Sequence, residues 1–171
     1  MPLTSRLATL ADEPALSALM TLAIDRLQDG FLTPAQVRAS HGFMGLDRRL
    51  IADGTYFVVE RDGVMAGCGG WSRRATPYGH DGSGGRDDRP LDPATEAAKV
   101  RAMYTHPDHV RQGVGMLILS LCEAAARAEG FCALELSATM AGVPLYRHFG
   151  FTDVRVFEDS GVPLILMRKA I

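Results

Sequence analysis

The segment Thr105-His106-Pro107-Asp108-His109-Val110-Arg111-Gln112-Gly113-Val114-Gly115-Met116 holds the sequence's clearest chemical potential. It lies between a strand-like and a helix-like stretch. Successive backbone amides at a helix N-terminus lack intrahelical acceptors, and the helix dipole adds positive potential there. Such a turn holds a phosphate or pyrophosphate, with glycine admitting the ligand close to the backbone. A tight strand-to-helix connection would need the same glycines, so Gly113-Val114-Gly115 alone leaves both readings open. The segment is not GxxxxGK[ST]. It is not GxGxxG either, because Ile118 stands where the third glycine would be.

Other chemistries find no constellation. The five histidines, His41, His80, His106, His109 and His148, form no HExxH and have no nearby cysteine, so no metal is expected. Cys68, Cys122 and Cys132 form no CxxC and no even framework, and read as three buried thiols in a reducing compartment. Lys and Arg number 18 against 20 Asp and Glu, a net charge of −2, which argues against a nucleic-acid-binding face. No apolar run approaches the roughly 20 residues of a membrane span, and Asp12-Glu13 precede the first apolar stretch where a signal peptide would be basic. The chain reads as one soluble, cytoplasmic domain, residues 1–171.

The elements that must position the turn emerge from periodicity. Ser5–Thr9 reads as a strand. A helix opens at Asp12-Glu13-Pro14, with Leu16, Leu19, Met20, Ala23, Ile24 and Leu27 on one face, and stops at Asp29-Gly30. Thr33-Pro34 reads as N-cap and first turn of a second helix through about Ser40. Thr55–Glu60, Asp62-Gly63 and Val64–Trp71 form a hairpin signal. Residues 75–97, rich in Gly and Pro, carry no periodicity; a loop of this kind is functional or disordered. Ala98–Thr105 is a strand. The next helix runs to about Glu129 with Val114, Leu117, Ile118, Leu121, Ala125 and Ala128 inward, and Gly130 stops it. Phe131–Ser137 is a strand, Thr139 caps a short helix through Phe149, and Val154–Phe157 and Leu164–Arg168 close the chain as a strand pair. The order is mixed α/β, a hairpin and then a right-handed β-α-β unit.

The turn, together with residues 117–151, resembles the GNAT superfamily of acyl-CoA-dependent N-acyltransferases. The family signature, [Q/R]-x-x-G-x-[G/A] between strand and helix, is matched by Gly113-Val114-Gly115, while Val110 stands where Gln or Arg is usual. A second signature, N-x-x-A-x-x-x-Y-x-x-x-G-F, is matched at Tyr146, Gly150 and Phe151, with Thr139 at the Asn position and Gly142 at the Ala position. The resemblance implies an α+β fold: a mixed, mostly antiparallel sheet of six to seven strands, splayed between the fourth and fifth, flanked by about four helices. It implies acetyl-CoA as co-substrate and no metal. The pantetheine arm would lie between Val100–Thr105 and Cys132–Ser137, paired to backbone groups of Met103 and Thr105 beside Tyr104. The pyrophosphate would sit over the amides of Arg111, Gln112, Gly113, Val114, Gly115 and Met116, with Thr139 and Gly142 nearby.

The resemblance also implies roles. A neutral amine attacks the thioester directly, which asks for an oxyanion donor and an acid for the departing thiolate. Tyr146 is the expected acid and the Met103 backbone amide the expected oxyanion donor; a core tyrosine bonded to a carbonyl is the alternative for Tyr146. Glu96, Glu135, Asp108, His106 and His109 are base candidates, but the carboxylates read more readily as solvated charges and the histidines as residues serving the loop. Phe31, Trp71, Arg73, Tyr78 and Tyr104 are candidates for the amine pocket, with core packing the alternative for Trp71 and residues 75–97 as a lid. The expected acceptor is a small-molecule amine. A protein or peptide amine and a non-catalytic acyl-CoA-binding module are the rivals, and aminoacyl-tRNA is disfavoured by the charge. Many members dimerise, but no diagnostic apolar stripe marks a homodimer interface here.

Overall fold

The computed structural model describes residues 2–171. Its sheet has seven strands in the order β1-β2-β3-β4-β5-β7-β6. Strands β1 (Leu3–Leu7), β2 (Tyr56–Arg61), β3 (Val64–Ser72) and β4 (Ala98–Thr105) pair antiparallel in sequence order. Strands β5 (Ala133–Thr139), β7 (Val162–Ala170) and β6 (Thr152–Asp159) form the other antiparallel half. The β2–β3 hairpin turns through Asp62 and Gly63, both at positive φ (54° and 76°), a two-residue turn whose twist matches that of the strands.

The halves meet at one short parallel seam. Only Ala98↔Leu134 and Lys99↔Glu135 pair between β4 and β5, and past them the strands diverge. The Lys99 ammonium donates to the Glu135 carboxylate at 2.6 Å across this seam. This is the expected mixed, mostly antiparallel sheet splayed between its fourth and fifth strands.

Five α-helices cover the sheet, one more than expected. Helices α1 (Glu13–Leu27), α2 (Pro34–Ser40) and α3 (Arg48–Ala52) lie on one face; α4 (Val114–Ala128) and α5 (Val143–Phe149) lie on the other. The overlooked helix is α3, too short for a period, and capped by the Asp47 carboxylate accepting from the Arg49 amide at 3.0 Å. Helix α2 begins as the sequence indicates, with Thr33 and Gln36 in a reciprocal capping box.

Three local readings need correction. Strand β1 sits two residues earlier than Ser5–Thr9. Thr139 ends β5 instead of capping α5; Gly142 is the cap, its amide donating to the Thr139 carbonyl at 3.0 Å. The buried face of α4 is Val114, Gly115, Ile118, Leu119, Cys122 and Ala126, rotated from the expected stripe so that Leu121, Ala125 and Ala128 are less covered. The rotation comes from β3: a Cβ on Gly67 would stand 2.4 Å from Val114 Cγ1, and one on Gly69 2.8 Å from Ile118 Cγ2. These glycines let α4 sit directly on the strand.

Residues 75–97 fold back on the end of β3 as an irregular double strand. The Ala75 amide donates to the Arg89 carbonyl, Thr76 to Asp87 and Leu91 to Arg73, all within 2.9 Å. Cys68 and Cys122 are buried, but Cys132 is exposed, against the expectation of three buried thiols. Among the described residues no helix is long and apolar enough to cross a membrane, and no cluster of three metal-ligating side chains exists.

Candidate active site

The splay opens a cleft of about 80 Å³, walled by β4 (Val100–Tyr104), β5 (Leu136, Ser137, Thr139), Tyr146 of α5, and the segments Phe43–Gly45 and Pro77–Gly79.

One wall is shaped by a bulge in β4. Ala102 has φ +50°, and the β3–β4 register steps from Cys68↔Tyr104 to Gly70↔Arg101, which leaves Ala102 and Met103 out of the ladder. The buried Tyr56 hydroxyl pins the bulge by donating to the Ala102 carbonyl at 2.6 Å. The extra residue also shifts the face of the residues before it. Residues three apart on a regular strand point to opposite faces, yet Arg101 and Tyr104 both reach the segment before α3. The Gly45 amide donates to the Tyr104 hydroxyl at 2.9 Å, and Arg101 Nη2 donates to the Asp47 carboxylate at 2.8 Å.

At the end of β4 the chain turns through Arg111 (φ +61°) and Gly113 (φ +87°), the N-cap of α4. Among the described residues, none of the amides from Arg111 to Met116 donates to a protein acceptor; the first that does is Leu117, to the Gly113 carbonyl. The two glycines differ in purpose. A Cβ on Gly113 would meet nothing within 4 Å, whereas one on Gly115 would stand 2.5 Å from Leu145 Cδ2. Gly113 therefore serves the left-handed cap beside open space, and Gly115 serves the contact between α4 and α5. The Gln112 side chain braces the turn, accepting from Arg61 Nη1 at 2.6 Å and donating to the Asp108 carbonyl at 3.1 Å. Val110 is partly exposed.

Tyr146 projects from α5 into the cleft and packs edge-on against Phe151, ring centroids 6.0 Å apart. Gly142 makes room for its ring, since a Cβ there would stand 2.8 Å from Tyr146 Cε2. Burial pushes the phenol up to about 12. Across the cleft, the buried Ser137 Oγ lacks a hydrogen-bond partner among the described residues.

The structure brings together Met103, Tyr104, Thr139, Tyr146 and Tyr78, all on the cleft. Three expected pocket residues lie elsewhere. Trp71 is buried in the core, edge-on to Phe131 at 6.0 Å. Arg73 packs over Trp71 and pairs with Glu129 at 2.6 Å. Phe31 is exposed and does not line the cleft. The base candidates are also away from it: Glu96 is bound by Arg89 and the Asp92 amide, Glu135 by Lys99, and Asp108, His106 and His109 belong to the turn. Among the described residues no Asp, Glu or His lines the cleft.

Sequence reasoning passed over Phe43, Ser137, Arg101 and Asp47. The available signal was Arg101 itself, a charge set between the apolar Val100 and Ala102 in the strand Ala98–Thr105. Tyr78 is held edge-on to Phe43 at 6.0 Å and by donating to the Asp159 carboxylate at 2.9 Å.

The family model of the acetyltransferase (GNAT) domain matches residues 52–153, more than half of the chain. The protein belongs to this family of acetyltransferase enzymes. Solved structures share the whole fold. A PaiA N-acetyltransferase from Thermoplasma acidophilum, in complex with coenzyme A, is 12% identical with a TM-score of 0.69, covering 100% of both chains. A GCN5-related N-acetyltransferase from Rhodopseudomonas palustris is 17% identical with a TM-score of 0.73, covering 100% of this chain and 97% of its own. A ribosomal-protein-alanine N-acetyltransferase from Brucella melitensis is 21% identical with a TM-score of 0.65, covering 98% and 99%. A search of curated proteins returned no match.

Proposed function

We propose that the protein transfers an acetyl group from acetyl-CoA to a primary amine of a small molecule, directly within a ternary complex. The observation that carries the reading is the row of unengaged amides from Arg111 to Met116, in the turn that follows β4, the strand whose residues 100–104 wall the cleft that holds Tyr146. The residues fit the co-substrate. Backbone groups of Met103 and Tyr104, with Thr105 following, lie on the part of β4 that β5 leaves unpaired, suited to an amide-bearing arm. The amide row and the α4 dipole suit a pyrophosphate, and the Gly113 approach is open. Because backbone groups do this work, Val110 in place of a polar residue removes only a side-chain contact.

Bound acetyl-CoA supplies an activated acetyl thioester. The chain's own groups then divide the task. The Met103 amide, in the stretch freed from the ladder by the bulge, donates to the carbonyl oxygen as charge develops. Tyr146 keeps its proton at working pH and gives it to the sulfur as the C–S bond breaks and the C–N bond forms, and the proton that the amine nitrogen releases restores the phenol. The segments Phe43–Gly45 and Pro77–Gly79, in contact through the Phe43 and Tyr78 rings, together wall the acceptor side. That cover, and the small volume of the cleft, favour a small molecule over a protein chain. Unpaired thiols suit a reducing compartment, and we place the protein in the cytoplasm.

Calorimetric titration of acetyl-CoA, with acetyl-pantetheine lacking the pyrophosphate as control, tests the reading. Micromolar binding that depends on the pyrophosphate is expected. Equal affinity for both ligands, or no binding, rejects the role of the Arg111–Met116 turn.

A further inference from the structure

We propose that the acceptor side of the cleft recognises a small apolar amine bearing a carboxylate, through the cationic cluster Arg101–Asp47–Arg86; this rests on the acetyl-transfer reading. Arg101 is 3% exposed, lines the cleft, and spends three hydrogen bonds on the Thr76 carbonyl, the Gly79 carbonyl and the Asp47 carboxylate, leaving two of its five N–H groups. Asp47 is 1% exposed and is shared. Arg86 Nη2 lies 3.2 Å from each of its oxygens. Two guanidiniums thus answer one carboxylate, and the Asp47 oxygens are further occupied by the Arg49 amide. The group holds an excess positive charge, with Arg101 on the cleft and the quarter-exposed Arg86 outside its lining, and a partly buried setting strengthens attraction for an opposite charge relative to bulk water.

Nothing in the cleft opposes that charge among the described residues. Of the nearby carboxylates, Asp81 is paired with Arg48 at 2.7 Å, and Asp159 stands behind Tyr78, accepting from its hydroxyl at 2.9 Å. Polyamines and other cations therefore meet the cluster's repulsion with no acid in the lining of the cleft to offset it. A carboxylate gains a charge-assisted partner of the planar, forked kind that arginine offers. Phe43, Met44, Pro77 and Tyr78 supply apolar surface on the same side, suited to an aromatic or branched body.

The test compares wild-type turnover of phenylalanine, phenylalaninamide and spermidine at saturating acetyl-CoA, beside the Arg86→Gln variant, which removes the excess charge and leaves the Arg101–Asp47 pair in place. The free acid is expected to exceed the amide, and spermidine to be the poorest acceptor. Arg86→Gln should lower the acid-to-amide ratio of kcat/KM roughly tenfold, with acetyl-CoA affinity retained. Equal use of acid and amide, preference for spermidine, or no acetylation of any of the three while acetyl-CoA still binds, overturns the proposal alone. Failure to bind acetyl-CoA overturns it together with the reading beneath it. The wild-type comparison stands even where the variant fails to fold.

Discussion

At the residue scale, Tyr146 and the lack of an acid–base partner around it set the expected pH behaviour. With the phenol held at about 12, it stays protonated throughout the physiological range, and no falling limb from its ionisation should appear below about pH 10. Among the described residues no carboxylate or histidine lines the cleft to take the amine's proton, so the rising limb of kcat/KM should track the acceptor's own pKa. Two acceptors differing by one unit should show limbs displaced by about one unit; coincident limbs would point to a protein base instead. Tyr146→Phe should lower kcat by about 10²-fold or more, in the range of lost general-acid catalysis, with acetyl-CoA affinity little altered. Matched affinity measurements and single-turnover rates check this, and an unchanged kcat removes the acid role.

At the scale of elements, the glycines of β3 and the bulge of β4 are the parts on which the cleft depends. A methyl group on Gly67 would meet Val114 Cγ1 at 2.4 Å and the Tyr104 carbonyl at 2.9 Å, and backbone cannot yield as a side chain does. Gly67→Ala should cost about 1–3 kcal/mol, the usual penalty of overpacking, read as a fall of several degrees in Tm. An unchanged Tm would show that α4 does not rest directly on the strand. These features also mark what the sequence could disclose. Alternation and turn chemistry gave the Asp62-Gly63 hairpin, the Thr33 cap and the limits of Ala98–Thr105, because each is a local preference. The bulge has no local signature: a left-handed Ala102 is held by Tyr56, 46 positions away in the chain. That unseen shift of face hid the convergence of Arg101 and Tyr104 on residues 45–47; of the pocket candidates, Tyr78 and Tyr104 line the cleft, and Phe31, Trp71 and Arg73 do not. The short α3, Arg48–Ala52, was hidden because five residues are too few for a helical period.

At the scale of the whole molecule, ion pairs set the acid limit. Arg6 holds Asp12 well below the usual carboxylate range, Arg74 holds Asp53 down, Arg89 lowers Glu96 to about 2, and Arg147 lowers Asp153. A carboxylate lowered in the folded state contributes stability above its unfolded value, near ~4, and loses it as pH falls through the folded value. Tm should stay level from about pH 8 to 5, then decline from about pH 4 toward 2; calorimetric scans in steps of one unit check this, and a decline beginning above about pH 6 would contradict it. The two-pair seam between β4 and β5 has a different consequence. Ordinary sheets end at two outer edges, but here the divergence past Lys99 and Glu135 creates two inner ones, each a run of backbone ready to template another strand. Where a narrow co-substrate arm fits, a misplaced segment of a second molecule also fits. Acetyl-CoA should therefore act as a solubility factor, slowing the rise of light scattering on mild heating more than its effect on Tm alone accounts for.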